Sequence, residues 1–338
     1  MTSRTFVIAE AGVNHNGSLE LALGLVDAAS RAGADAVKFQ SFRADKIALH
    51  SAPKASYQEA STGIAESQHE MLRRLELSES DHVALAHRCA ERGIAFLSTP
   101  FDAESADMLF RLGVQQFKIP SGEITNTPLL RHVASFGLPL LVSTGMAYLE
   151  EVEECLRTLR GAGASDITLL HCVTEYPAPA DQINLRAMAT LRDAFSVPVG
   201  YSDHSEGLEI AYAAVALGAV VLEKHFTLDR SLPGPDHLAS IDAGGLVELV
   251  RGIRAVESAL GNGTKAPAPC EVRNREVVRR SLVLSRGIRA GETIEPSDLA
   301  AMRPGTGISP TRITDLAGRR ARRDLEAWAP LAWEDLAP

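Results

Sequence analysis

Eight short apolar runs, rich in β-branched residues, alternate with segments of helical periodicity along most of this chain. Most successive runs start roughly 20 to 30 residues apart, which is the length of one strand, one helix and two loops. A strand–helix–strand order makes neighbouring strands parallel. Eight such units predict a (β/α)8 barrel over about residues 1–265. The runs are Phe6–Ala9, Ala36–Phe39, Ala95–Leu97, Gln116–Ile119, Pro139–Val142, Ile167–Leu170, Val197–Gly200 and Ala219–Leu222.

The alternative α/β architecture is a doubly wound open sheet. It is disfavoured because no GxGxxG motif follows the first run. The interval between the second and the third run, Phe39 to Ala95, is too long for a single helix and its loops. Residues 51–63 are rich in Ser, Ala, Pro and Thr, which predicts a long surface loop before a helix at about 67–75. A long loop on the catalytic side of a barrel is more often a substrate-covering lid than idle sequence.

The composition changes after Gly261, so a second domain is expected there. A Gly/Pro-rich stretch leads into a basic segment, and short strand-like pieces with turn signals follow. The sequence therefore predicts a barrel over residues 1–262, a linker over 263–280 and a small β-rich domain over 281–338.

Charge and cysteine content limit the functional class. The 338 residues carry a formal net charge of −9, which argues against a general nucleic-acid binder. The four cysteines show no CxxC spacing, as in proteins of a reducing cytosol. The N-terminal residues lack a signal-peptide pattern, and the longest apolar run, Ile210–Leu222, is too short to span a bilayer. We expect a cytoplasmic protein with no membrane partner.

Polar residues cluster where the runs end, and in a barrel these ends share one rim. Lys38 and Lys118 end buried runs, where an unpaired charge is costly. One interpretation is that they bind a phosphate or carboxylate, assisted by hydroxyl groups and by the close approach that Gly122 and Gly145 allow. The other is an internal salt bridge with Glu10 or Glu123. The hydroxyl residues are Thr99, Ser121, Ser143 and Ser202.

Two histidines, His204 and His225, follow the last two runs, with Asp236 soon after. Two imidazoles on adjacent strand tips favour a metal pair over hydrogen-bonded structural histidines. Imidazole ligands favour Mn, Fe, Co or Zn. Because no thiol partner is evident and oxygen ligands are expected, Mn and Mg are the practical candidates. Glu10, Glu123 and Glu175 are the carboxylates available for proton transfer.

The motifs at these strand ends and in the C-terminal part resemble those of one family, and the resemblance covers essentially the whole chain. In order, the sequence contains AEAGVNHNG, KFQ, STPFD, FKIPSGE, STGM, LLHCVTEYPAP, GYSDHSEG, EKHFTLD, GPDH and RPGTGISP. This set resembles the bacterial N-acetylneuraminate (sialic acid) synthases, with legionaminate and pseudaminate synthases and spore-coat polysaccharide enzymes as relatives. The C-terminal part resembles the antifreeze-like (SAF) domain of that family.

The resemblance implies a condensation of phosphoenolpyruvate with an open-chain 2-acetamido sugar aldehyde and water, releasing phosphate. By similarity, His204 and His225 would bind Mn2+ or Mg2+, and Glu10 and Glu123 would act in proton transfer or orient water. Arg303 would reach from the SAF domain of a partner subunit to the acetamido group, in a domain-swapped homodimer. Residues Gln40, Tyr176 and Asp236 would contact the sugar or the attacking water. Phosphoenolpyruvate would be held by Lys38, Thr99, Lys118, Ser121, Ser143, Thr174 and Ser202.

Three functions follow from these motifs. The first is a sialic acid synthase that uses an N-acetylmannosamine-type aldehyde. The second is an N,N'-diacetyllegionaminate or pseudaminate synthase that uses a 2,4-diacetamido-6-deoxy sugar. The third is a non-catalytic, carbohydrate-binding barrel. The third is disfavoured because His204, His225, Lys118 and Glu123 are all present, and costly polar residues at strand ends mark sites.

Overall fold

The computed structural model describes residues 4–55, 58–59 and 64–337, and the chain divides into two compact units between Asn262 and Gly263. All eight runs predicted in the first unit form strands. They are β1 (Phe6–Gly12), β2 (Ala36–Ser41), β3 (Ala95–Pro100), β4 (Phe117–Ile119), β5 (Leu140–Ser143), β6 (Ile167–His171), β7 (Val199–Asp203) and β8 (Val221–His225).

The eight strands form one parallel sheet in the order β3-β2-β1-β8-β7-β6-β5-β4. Strands adjacent in sequence pair with each other except β3 and β4, and the first strand pairs with the last, with Glu10 opposite His225. β3 and β4, at the two ends of this order, also lie next to each other. This arrangement is a nearly closed barrel, as predicted, and the pairing of β1 with β8 excludes the doubly wound sheet.

Ten α-helices of the first unit are described, most of them between successive strands. Helix Leu19–Ala32 is typical: Ser18 Oγ accepts the Leu21 N–H at its start, and Gly33 ends it at φ 77°. Apolar residues of strands and helices form the main core between the two layers. The helices are Leu19–Ala32, Ala44–Ile47, Gln68–Leu75, Glu79–Arg92, Ala103–Leu112, Thr127–Ala134, Leu149–Gly161, Ala187–Phe195, Glu209–Ala216 and Ala243–Leu260.

The helix expected at about 67–75 is present as Gln68–Leu75, with Ser67 as its N-cap. Of the long loop expected over 51–63, residues 56–57 and 60–63 lie outside the described residues. Ile47, Gln58 and Met71, from this part of the chain, line the cavity described below.

The second unit contains a small antiparallel sheet, as the β-rich prediction requires. Strand β9 (Ser281–Leu284) pairs with β10 (Leu299–Met302), and a core of its own surrounds them, with Leu282, Ile294 and Leu316 fully buried. The segment expected to be a linker contains helix Val272–Val278, and helix Ile313–Leu316 follows later in the unit. No helix among the described residues is long and apolar enough to cross a membrane.

Candidate active site

The barrel interior changes from apolar to polar along the strands. Alternate residues of a strand face the same side, and a layer of apolar residues from six strands fills one end of the interior: Ile8, Ala36, Leu97, Leu141, Leu170 and Val221. Two positions further along, the same strands carry cavity-lining residues: Glu10, Lys38, Thr99, Ser143, Cys172 and Glu223. The carboxyl ends of the strands therefore surround a polar cavity with an apolar floor.

This cavity has a volume of about 350 Å³ and is lined by residues of the first unit. It brings together fourteen of the fifteen candidate residues that lie in the barrel; Glu175, the third carboxylate considered for proton transfer, is exposed and is not among the lining residues. Arg303 lies in the second unit, where its Nε donates to the Val278 carbonyl at 2.9 Å. The fourteen are Glu10, Lys38, Gln40, Thr99, Lys118, Ser121, Glu123, Ser143, Thr174, Tyr176, Ser202, His204, His225 and Asp236.

Two buried lysines share one carboxylate that the sequence analysis did not select. Lys38 Nζ lies 2.7 Å from Glu10, as one interpretation expected, and 3.7 Å from Glu223. Lys118 Nζ lies 3.5 Å from Glu223, which also accepts a hydrogen bond from Ser202 Oγ at 2.8 Å. The alternation of β8 could have identified Glu223, because Val221 and His225 on either side of it face the interior.

The protonation states of these buried lysines and carboxylates depend on burial and on the charges of their neighbours. Burial lowers the pKa of Lys118, although Glu223 opposes that change. Burial alone would raise the pKa of Glu223, but Lys118 and Lys38 hold it down at about 2. Burial raises the pKa of Glu10 to about 7 against the influence of Lys38. The cavity therefore combines cationic lysines and an ionised carboxylate with Glu10, which can exchange a proton near neutral pH.

Hydroxyl groups with unused hydrogen-bonding capacity line the same cavity as the lysines. Within the described part of the chain, Ser143 Oγ and Thr174 Oγ1 are buried without a hydrogen-bond partner. Ser121 Oγ accepts the Gly145 N–H at 2.9 Å. A Cβ on Gly145 would collide with Thr174 Oγ1 and Ser121 Oγ, so glycine is required for their close approach. A Cβ on Gly122 would meet nothing within 4 Å. Hydroxyls and lysines converging in this way can bind an oxyanion.

The two predicted metal ligands lie side by side on the cavity wall, with ring centroids 5.5 Å apart. His204 Nδ1 donates to the Val173 carbonyl at 2.6 Å, which leaves Nε2 as the electron-pair donor. His225 Nδ1 has no hydrogen-bond partner among the described residues and lies 3.9 Å from Asp236 Oδ2. Burial lowers the pKa of His204 to about 4 and that of His225 well below its usual range. Two neutral imidazoles, one of them oriented by a backbone carbonyl, fit a divalent metal ion.

The N-terminal motif AGVNHNG supports this wall from behind. Asn14 Nδ2 donates to the Phe226 carbonyl at 2.9 Å and to Ser240 Oγ at 2.8 Å. The Asn16 side-chain oxygen lies 3.1 Å from His237 Nε2. These bonds hold the segment that carries Asp236, whose pKa burial raises to about 6.

A second group of possible metal ligands lies outside this histidine pair, and the sequence analysis did not single it out. Asp45, His50 and His69 place one ligand atom each within 4.8 Å of one another. Their separation in sequence follows no recognisable ligand spacing, so only the folded chain reveals the group.

Both units of the chain are similar to known families. The NeuB family model matches residues 25–265, and the SAF domain model matches residues 279–337. The chain is 50% identical to an N,N'-diacetyllegionaminic acid synthase of Legionella pneumophila subsp. pneumophila, over 98% of this chain and 94% of that one. It is 49% identical to the protein of that name from Campylobacter jejuni subsp. jejuni, over 95% and 97%.

A solved structure gives the same result for the fold. The N-acetylneuraminic acid (sialic acid) synthetase of Leptospira borgpetersenii superposes with a TM-score of 0.71 at 35% identity, covering 81% of this chain and 90% of that one. With matches of this extent to both parts of the sequence, the chain belongs to the NeuB family and carries a C-terminal SAF domain.

Proposed function

We propose that this protein is an N,N'-diacetyllegionaminic acid synthase. As a NeuB-family synthase it is a phosphoenolpyruvate-dependent transferase that forms a carbon–carbon bond. The observation that carries the choice of sugar is the identity of 50% and 49% to two synthases of that name, against 35% to the sialic acid synthetase. The sugar substrate would be a 2,4-diacetamido-6-deoxy aldehyde, which was the second of the functions inferred from the motifs.

Phosphoenolpyruvate would bind at the lysine-lined end of the cavity. Lys38 and Lys118 supply positive charge, and Ser143 and Thr174 have hydroxyls free to donate to oxyanion oxygens. The remaining residues proposed for this role are Thr99, Ser121 and Ser202. Because the cavity is buried, these charge-assisted bonds are stronger than they would be in water.

The sugar aldehyde would lie beside His204 and His225. These two residues would hold the divalent ion, Mn2+ in our proposal and Mg2+ as the alternative, which when bound stabilises negative charge on the aldehyde oxygen. Asp236, Tyr176 and Gln40 would contact the sugar. The Tyr176 ring lies 4.1 Å from the His204 ring, centroid to centroid.

The reaction then needs one carbon–carbon bond, one water and one departing phosphate. C3 of phosphoenolpyruvate attacks the aldehyde carbon, and the aldehyde oxygen takes up a proton. Water adds at C2, and the C2–O bond to phosphate breaks, leaving a 2-oxo acid and inorganic phosphate. Glu10 is suited to orient this water and accept its proton, because its pKa of about 7 lies near the working pH. Glu123 is the other candidate for this role.

We also propose a homodimer in which Arg303 of a partner subunit contacts the acetamido group. The support is the RPG motif and the assignment of this residue to the SAF domain. A cytoplasmic location is proposed on the absence of a membrane-spanning helix among the described residues and on four free cysteines.

The test is phosphate release from phosphoenolpyruvate with Mn2+, with the 2,4-diacetamido-6-deoxy sugar and N-acetylmannosamine offered separately. We expect a strong preference for the diacetamido sugar, and Lys118→Met serves as the inactive control. Preference for N-acetylmannosamine would instead make the protein a sialic acid synthase. Release with neither sugar, from folded and metal-loaded protein, would overturn the reaction for both.

A further inference from the structure

Asp45, His50 and His69 form a compact group at the edge of the barrel cavity. Asp45 belongs to helix Ala44–Ile47, His50 follows it, and His69 is the second residue of helix Gln68–Leu75. His69 Nε2 lies 2.7 Å from Asp45 Oδ1, and the rings of His50 and His69 lie 4.0 Å apart, centroid to centroid. One possible ligand atom from each residue lies within 4.8 Å of the other two.

We propose that Asp45, His50 and His69 bind a divalent transition-metal ion of the Zn2+ type, separate from the ion held by His204 and His225. Two imidazoles and one carboxylate are a ligand set that suits Zn2+, Co2+ and Ni2+ far better than Mg2+ or Ca2+. Three protein ligands also leave a fourth position for water.

The geometry requires only a small adjustment for such an ion. Ligand atoms of a tetrahedral Zn2+ site, each about 2.0–2.1 Å from the metal, lie about 3.4 Å from one another. The ion would replace the proton that His69 Nε2 and Asp45 Oδ1 share, and this pair would widen by less than about 1 Å. His50 is exposed and can close on the ion by side-chain rotation.

The surroundings allow access and anchor one ligand firmly. The side chain of His69 is only 4% exposed, whereas that of Asp45 is 60% exposed, so an ion can enter from solvent onto a fixed imidazole. The one cation within ion-pair distance of Asp45, apart from His69, is Arg73, at 3.6 Å among the described residues. Its side chain is 65% exposed and can turn into solvent when an ion binds.

The position of the site links the ion to the cavity wall. Met71, Leu72 and Leu75 of helix Gln68–Leu75 line the cavity on one face, and His69 holds the start of the same helix to Asp45. A bound ion replaces this single hydrogen bond by three coordinate bonds. It therefore fixes the helix more firmly at the edge of the cavity, without contributing a group to the reaction.

The experiment counts Zn2+ by calorimetric titration and uses Co2+ absorption to identify four-coordinate binding. Wild-type protein should bind two Zn2+ per chain, one at each site, and His50→Ala should bind one. The double variant His204→Ala/His225→Ala should retain one ion, with the Co2+ spectrum of a mixed nitrogen–oxygen site. Adding His50→Ala to it should weaken that binding at least about tenfold.

The matched control is His132→Ala. His132 Nε2 lies 2.9 Å from Asp107, the same pairing as His69 and Asp45 without a third ligand in the described part of the chain. This variant should bind Zn2+ as the wild type does. Unchanged Zn2+ stoichiometry and affinity in His50→Ala would overturn the proposal, as would a wild type that binds only the ion lost in His204→Ala/His225→Ala. Neither readout depends on turnover, so failure here is distinct from failure of the proposed reaction.

Discussion

Adjacent residues of β8 place buried charges on opposite faces of the barrel wall. Glu223 faces the cavity, 3.7 Å from Lys38 and 3.5 Å from Lys118. Lys224 faces away from it and bonds Asp203 at 2.7 Å and the Ser205 carbonyl at 2.8 Å. Both groups are almost fully buried. Burial alone therefore does not mark a functional charge. Lys224 is closely paired away from the cavity, which indicates a structural role, whereas Lys118 beside the cavity lies 3.5 Å from its carboxylate and is available for a ligand.

The largest expected effect comes from removing a loosely paired lysine. Lys118→Met should lower kcat/KM for phosphoenolpyruvate about 10³-fold, because a cation facing the developing phosphate charge is lost. Stability should fall only slightly, because the cost of burying this charge is removed with it and Glu223 keeps Lys38 and Ser202 as partners. Steady-state phosphate release and urea unfolding measure the two effects. Activity close to that of the wild type would remove Lys118 from the phosphate site.

Removing the tightly paired lysine should have the opposite outcome. Lys224→Met should lower the free energy of unfolding by about 3–5 kcal/mol, because Asp203 is left as an unpaired buried carboxylate. The kcat of the folded fraction should not change. Urea unfolding checks the first statement and active-site-normalised turnover the second.

A double variant sharpens the same contrast. Asp203→Asn added to Lys224→Met should recover a large part of the lost stability, since the uncompensated charge is gone. No recovery would mean that the cost of Lys224→Met arises from packing and not from charge.

Glu10, which also lies beside the cavity, should make the free energy of unfolding depend on pH. Its pKa is raised in the folded protein from 4.5 to about 7, so the folded state binds more protons over this interval. The contribution of Glu10 to the stability of the metal-free protein is therefore full below pH about 4.5 and falls by about 3 kcal/mol as the pH rises through 7. Glu10→Gln should flatten this decline in urea unfolding at a series of pH values. Equal slopes for the two proteins would contradict the assignment.

The smallest expected effects concern two hydroxyls. Thr174→Val should raise the KM for phosphoenolpyruvate by a factor that corresponds to about 1 kcal/mol, with stability unchanged, because Oγ1 has no partner to lose. Ser205→Ala should cost about 1 kcal/mol of stability with KM unchanged, because its hydroxyl donates to Asp203 at 2.6 Å. Initial-rate kinetics should show a raised KM only for Thr174→Val, and unfolding curves should show lost stability only for Ser205→Ala.

Much of this organisation could be predicted from the sequence, because buried parallel strands read as continuous apolar runs. The limits of the strands could not, since their last residues are the polar ones that line the site. The first run was expected to end at Ala9 and the last at Leu222, whereas the strands end at Gly12 and His225.

The sequence also could not show which polar residues pair with each other. Glu10 and Glu123 were equal candidates for a lysine partner, but Glu123 instead accepts a hydrogen bond from Asn126 at 2.6 Å. Glu10 meets Lys38 because the two residues lie opposite each other in the β1–β2 register. Register depends on how whole strands align their buried faces, which the short motifs at the strand ends do not show.

The apolar layer at the floor of the barrel has a further consequence, for the order of events in a catalytic cycle. Ile8, Leu97, Leu170 and their neighbours close that end of the barrel. Ligands therefore enter and leave the cavity past the same rim, at the carboxyl ends of the strands. The lysines stand directly above the floor, and Tyr176 and Asp236 follow the ends of their strands. With the substrates bound as proposed, the phosphate donor would bind before the sugar, and the freed phosphate would leave after the product.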